Sequence, residues 1–170
     1  MSLPAEQRKA VAAARDQPVA AAQDLPAVVK RDATVIVAGG TSDSHTWNLV
    51  FLQLLLEEMG FDVVNLGPCV PADLLVSESL ARRPALLVVS SVNGHGFQDG
   101  IRMIGKVRER DELSAVPAVI GGKLGIAGAQ SAEQPAELIA AGYDAVFDDG
   151  AEGIASFRRL LDSLPQRVLT

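Results

Sequence analysis

A doubly wound α/β fold, with helices on both faces of a five-stranded parallel sheet, is what this sequence predicts, on three observations. Five short apolar runs alternate with longer segments whose apolar residues recur at helical spacing. The runs are rich in Val, Ile and Leu with little polar alternation, as strands covered on both faces should be. Aromatic residues make up only 4% of the chain, which suits close aliphatic packing under helices rather than an aromatic-rich sandwich.

Residues 1–32 stand apart. They are rich in Ala, Gln and Pro, hold no aromatic and are punctuated by Pro4, Pro18 and Pro26. A helix over Pro4 to Arg15 is short enough to be marginal alone, so the segment reads as a flexible N-terminal arm, or as one that orders on a partner. A single domain over 33–170 follows. Its first strand is Val35 to Ala38, and its first helix runs from Trp47 to Met59 and stops at Gly60, which suits a left-handed closing residue. Phe61 to Leu66 is the second strand, and Pro71-Ala72-Asp73 opens a helix to about Ala81. Leu86 to Ser90 is the third strand, followed by the polar loop 91–96 and a helix from about Asp99 to Arg108. Ala118 to Ile120 is the fourth strand, Pro135 to Ala141 a helix, Asp144 to Phe147 the fifth strand, and Ala151 to Leu164 the last helix. Right-handed crossovers leave few topologies, and the flavodoxin-like order 2-1-3-4-5 is the expectation. That order brings the loops after strands one, three and four to one edge of the sheet.

Composition excludes several functions. With 15 basic and 21 acidic residues and no basic cluster, nothing points to nucleic acid. Cys69 is the only cysteine, so no intrachain disulfide can form and a cysteine zinc site is disfavoured. No secretory signal or bilayer-spanning run is evident, and a reducing cytoplasm is the expected location, with no membrane partner.

The three loops on the common edge carry the chemistry. After the first strand come Ser42, Asp43, Ser44, His45 and Thr46; after the third, Ser90, Ser91 and Val92; after the fourth, Gly121, Gly122, Lys123, Leu124 and Gly125. A carboxylate two residues before a histidine can take one imidazole proton and leave the other nitrogen for a metal. Helix capping is the competing reading for Ser42 and Thr46, and it stays open. A serine hydrolase triad is disfavoured: these residues crowd one turn, and no Gly-x-Ser-x-Gly elbow occurs. His95 and the pair Asp148 and Asp149 read as solvated loop residues, and Trp47 as a packing residue beside the site.

Three motifs in order carry a resemblance. Asp43-Ser44-His45-Thr46-Trp47-Asn48 matches Asp-x-His-x-x-Gly with Asn48 in the glycine position, Ser90-Ser91-Val92 matches Ser-x-Leu, and Gly121-Gly122 matches a Gly-Gly pair. With Phe61 to Gly67 added, residues 34–164 resemble the vitamin B12-binding domain family, and within it the small (sigma) subunits of glutamate mutase (methylaspartate mutase). The resemblance implies an isomerase subunit that carries adenosylcobalamin, with His45 as lower axial cobalt ligand and Asp43 bonded to its other nitrogen. It implies that Ser90 and its neighbours line a groove for the displaced nucleotide tail, flanked by Gly121 and Gly122. It also implies a separate large (β/α)8-barrel catalytic subunit, for which about 250 residues are needed, and an amino or oxo acid substrate held there. On that reading the chain is inactive alone. A corrinoid carrier for methyl transfer and a non-enzymatic cobalamin-binding or sensor module are the alternatives.

Overall fold

The computed structural model describes residues 30–125 and 133–164. Residues 1–29 of the expected arm lie outside the described residues. The elements are β1 (Thr34–Gly39), α1 (Trp47–Glu58), β2 (Asp62–Asn65), α2 (Ala72–Arg82), β3 (Leu86–Ser91), α3 (Gly96–Arg108), a 3-10 turn (Asp111–Leu113), β4 (Ala118–Gly122), α4 (Gln134–Ala141), β5 (Ala145–Phe147) and α5 (Ala151–Ser163). The five strands form one parallel sheet in the order β2-β1-β3-β4-β5, as expected.

Side chains alternate across a strand, so each strand feeds two cores. Ile36, Ala38, Leu87, Val89, Ala118 and Ile120 point to the face covered by α2, α3 and α4, where Leu75, Met103, Ile104, Val107 and Leu138 meet them. Val35, Val37, Leu86, Val88 and Val119 point to the other face, against Leu49, Leu55 and Leu56 of α1 and Phe157 and Leu161 of α5. Residues 35–38 are wholly buried, which explains an apolar run without alternation.

Two boundaries differ from expectation for physical reasons. Helix α3 begins at Gly96, a turn before Asp99, and a side chain there would come within 2.8 Å of Ser91 and Leu124, so the glycine is a packing residue and not a loop marker. Strands β1, β3 and β4 extend into their polar ends: Gly39 pairs with Ser90, and Ser91 with Gly122. The sheet therefore carries the serines and glycines of the expected site on rigid backbone. Gly60 has the positive φ of 90° expected after α1.

Arg31 fastens the other end of the molecule. Its guanidinium donates to the Met59 carbonyl at 3.0 Å and the Leu161 carbonyl at 3.1 Å, and lies 4.7 Å from the centre of the Phe61 ring. A cation suits the carbonyl-rich ends of α1 and α5. Helix α1 is apolar beyond its buried face, with Trp47, Val50, Phe51 and Leu54 exposed. No described helix is long and apolar enough to cross a membrane.

Candidate functional site

The backbone amide of Gly40 donates to the Ser90 carbonyl at 3.2 Å, so the loop after β1 starts against the end of β3. The Asp43 side chain turns inward and is 1% exposed. Its Oδ1 accepts the His45 amide at 3.0 Å and faces His45 Nδ1 at 2.7 Å, while Oδ2 accepts the Ser91 hydroxyl at 3.0 Å and the Val92 amide at 2.6 Å. A carboxylate only accepts, so the neutral ring places its proton on Nδ1 and leaves a lone pair on Nε2. The imidazole is 48% exposed, so the pair joins a buried anchor to an accessible ligand atom. Burial pushes the Asp43 carboxyl upward, but the hydrogen bonds from His45, Val92 and Ser91 outweigh it and hold the group below its ordinary value.

A second buried carboxylate, which the sequence reading missed, holds the preceding residue. Asp99 Oδ2 accepts the Ser42 amide at 2.7 Å and its hydroxyl at 2.6 Å, and Oδ1 pairs with Arg102. Asn93 adds a bond from its amide to the Ser42 carbonyl at 2.8 Å. Capping is thereby corrected for both residues: the Ser42 hydroxyl serves Asp99, and Thr46, which precedes α1, makes no side-chain cap bond. Ser44 and Thr46 are exposed on the loop beside His45. The only signal for Asp99 was an acidic residue three positions before an arginine, a pattern equally common on solvated helix faces.

Burial raises the Asp99 carboxyl, and its bonds to Ser42 and Arg102 more than reverse this. Asp43 and Asp99 are both lowered in the folded chain, so their stabilisation is present above the ordinary value of 3.8 and is lost as pH falls through the folded value. Stability should therefore hold from neutral to about pH 5 and drop below that. The Asp99→Asn protein should lose about 1–3 kcal/mol at neutral pH and show a shallower acid limb, as read by urea unfolding from pH 7 downward.

Beside the His45 loop, a cleft enclosing about 690 Å³ of space, open solvent at its mouth included, lies between α1 and α5 over β3 and β4. Its lining includes Trp47, Asn48 and Phe51 from α1, and Ile154 and Phe157 from α5. Of the expected site residues, Ser90, Val92, Gly121 and Gly122 reach it. Gly122 has φ of 107°, and a Cβ there would lie 2.2 Å from the Ser91 carbonyl oxygen, so no other residue fits. Ser91 is buried and serves Asp43. Leu124 packs into the core on the α3 face, Lys123 is exposed, and Gly125 is half-buried outside the cleft lining. His95 is exposed, with its amide bonded to Asn93.

The Asn48 side chain is 5% exposed and donates from Nδ2 to Ser90 Oγ at 2.8 Å. Its Oδ1 has no hydrogen-bond partner among the described residues.

No family model matches the sequence. The glutamate mutase sigma subunit 1 of Haloarcula marismortui is 33% identical over 129 residues, covering 74% of this chain and 83% of that protein. The chain belongs to the glutamate mutase sigma subunit family. A further sigma subunit, from Fusobacterium nucleatum, is 32% identical over 111 residues, which are 64% of this chain and 79% of that one. Among solved structures, a cobalamin-binding protein from Desulfitobacterium hafniense aligns over 75% of this chain and 58% of its own, with a TM-score of 0.59 at 19% identity. The methanol:cobalamin methyltransferase complex of Methanosarcina barkeri aligns over 83% of this chain and 51% of its own, with a TM-score of 0.62 at 19% identity. The chain thus spans little more than half of those two proteins. A chemotaxis response regulator of Vibrio cholerae reaches a TM-score of 0.56 at 12% identity, so these likenesses establish only a fold that this chain shares with cobalamin-binding proteins and response regulators alike.

Proposed function

We propose that this sigma-family chain is the cobalamin-carrying subunit of a carbon-skeleton mutase, with His45 as the lower axial ligand and the cleft between α1 and α5 as the seat of the nucleotide tail. The observation that carries this reading is the Asp43–His45 pair at 2.7 Å, beside the mouth of the cleft. Among the described residues no three His, Cys, Asp or Glu side chains converge as a metal cage, and one oriented imidazole suits a metal whose other positions a macrocycle fills. The cleft supports the fit, since it is largely apolar and is lined by Gly121 and Gly122, whose missing side chains leave room beside Ser90.

Bound adenosylcobalamin supplies a cobalt–carbon bond whose homolysis starts radical rearrangement. The chain contributes position and electrostatics. Asp43 holds the ring in one tautomer and raises the basicity of Nε2, while Ser91 and Val92 keep the carboxylate in place. The apolar cleft walls exclude water from whatever they enclose. Substrate, in this reading a glutamate-like amino or oxo acid, binds on a large (β/α)8-barrel partner, without which the chain is inactive. Methyl transfer is the weaker reading, because the protein of that class is similar in fold at 19% identity, whereas the sigma subunits of Haloarcula marismortui and Fusobacterium nucleatum are 33% and 32% identical.

The test is electron paramagnetic resonance of the cob(II)alamin complex, prepared once with ordinary and once with nitrogen-15 histidine. Hyperfine structure that changes with the isotope places a protein histidine on cobalt. An unchanged spectrum, with the cofactor bound, removes the axial assignment.

A further inference from the structure

The Asp99 side chain is 1% exposed, yet the partner it serves through Oδ2 is Ser42, an exposed residue on the loop after β1. Burying a carboxylate costs free energy that its partners must offset, and water alone would satisfy the amide and hydroxyl of an exposed serine. What the carboxylate adds is a fixed place for the loop.

All three polar groups of Ser42 are bonded to the segment 93–99, between the end of β3 and the first turn of α3. The amide and hydroxyl both donate to Asp99 Oδ2, at 2.7 and 2.6 Å, and the carbonyl accepts the Asn93 side-chain amide at 2.8 Å. Asn93 is itself held, since its Oδ1 accepts the Ser91 hydroxyl at 3.1 Å and the His95 amide at 2.9 Å. The carboxylate lies directly against the loop: a Cβ on Gly40 would come within 3.2 Å of Asp99 Oδ2. Arg102 pairs with Oδ1 and leaves Oδ2 to Ser42. Hydrogen bonds to a charged acceptor are about twice as strong as neutral ones, so two of them on one residue make a firm attachment.

Ser42 is followed directly by Asp43, whose carboxylate holds the His45 ring. Asp43 decides which ring nitrogen is free, whereas the backbone at Ser42 helps decide where that nitrogen stands. A ligand atom must be held to within about 0.5 Å of its working position, and a loop ordered in advance spares its guest the cost of ordering it. We infer that Asp99, acting through Ser42, is a positioning residue for the axial ligand, holding the His45 loop in its binding geometry before the cofactor arrives. This rests on His45 being that ligand.

The test is a double-mutant cycle read by cobalamin titration of the full-length chain, followed by visible absorbance. Asp99→Asn and Ser42→Ala are each made in wild type and in His45→Ala. In wild type, Asp99→Asn should weaken binding about tenfold, and Ser42→Ala, which keeps the amide bond, about fivefold. In His45→Ala neither should change the affinity by more than about twofold, because no ligand is left to position. Damage to the fold or to the cleft would instead lower the affinity by the same factor in both backgrounds, and that result overturns the inference. Undiminished binding by both variants in wild type overturns it equally. Should Asp99→Asn prove unfolded by far-ultraviolet circular dichroism, Ser42→Ala, which leaves both carboxylates intact, decides the question alone. If wild type binds no cobalamin the cobalamin reading itself falls, and if His45→Ala binds as tightly as wild type the axial assignment falls; this inference goes with either.

Discussion

Replacing His45 by alanine is expected to lower cobalamin affinity by about 100-fold or more while leaving the fold in place. Loss of residues that only orient a metal ligand already costs about 10- to 100-fold, and here the ligand itself goes. The fold should hold because the ring is half exposed and Asp43 keeps three donors: the backbone amide at position 45, the Ser91 hydroxyl and the Val92 amide. Unfolding in urea should shift by less than about 1 kcal/mol. Added imidazole should restore part of the binding, since it can reach the space the ring vacated. Undiminished binding by the alanine protein would show that the tail cleft alone holds the cofactor and that His45 is not its ligand.

The second large effect lies one layer deeper, at Asp43. Alanine there would take the acceptor from three donors at once, the Nδ1 and backbone N–H groups of His45 and the Val92 amide, and leave the Ser91 hydroxyl only Asn93 Oδ1 at 3.1 Å. The expected cost is about 3–5 kcal/mol of stability, as for a buried charge network that loses its central partner. Asp43→Asn should be milder in stability, because one oxygen remains, but it turns a donor toward two of the donors the carboxylate accepted. Cobalamin affinity should fall about 10- to 100-fold in that protein. Urea unfolding and a cobalamin titration on the same samples separate the effects. If Asp43→Ala were as stable as wild type, the clip between the loops after β1 and β3 would be incidental to the fold.

The contrast between these residues shows what could be read from sequence. Strands such as residues 35–38 were legible because complete burial on both faces leaves no polar alternation, and their order followed from crossover handedness. The Asp43–His45 contact was legible because two residues on one turn have few ways to avoid each other. Asp99 was not, because its partner lies 57 residues away and only the docking of α3 against the β1 loop brings them together. The start of α3 was hidden for a related reason: Gly96 reads as a loop residue, yet its missing side chain is what lets the helix lie against Ser91 and Leu124. Leu124 looked like a neighbour of the ligand because it follows the glycine pair, but β4 ends there and the chain turns into the core. Asn48 stood out as a departure from a motif, and only the fold shows that its side chain is buried and bonded to Ser90, 42 residues away.

Arg31 sits as far from His45 as the sheet allows, where α1 and α5 end, and one guanidinium grips a carbonyl from each, at Met59 and Leu161. Near the same end, Arg158 of α5 lies 3.9 Å from Glu58 of α1. The two helices thus resemble the arms of a pair of tongs, riveted at one end, with the cleft as the gap between their tips. The strands beneath carry none of these contacts, so the two helices are joined to each other at the end remote from the cleft by side chains alone.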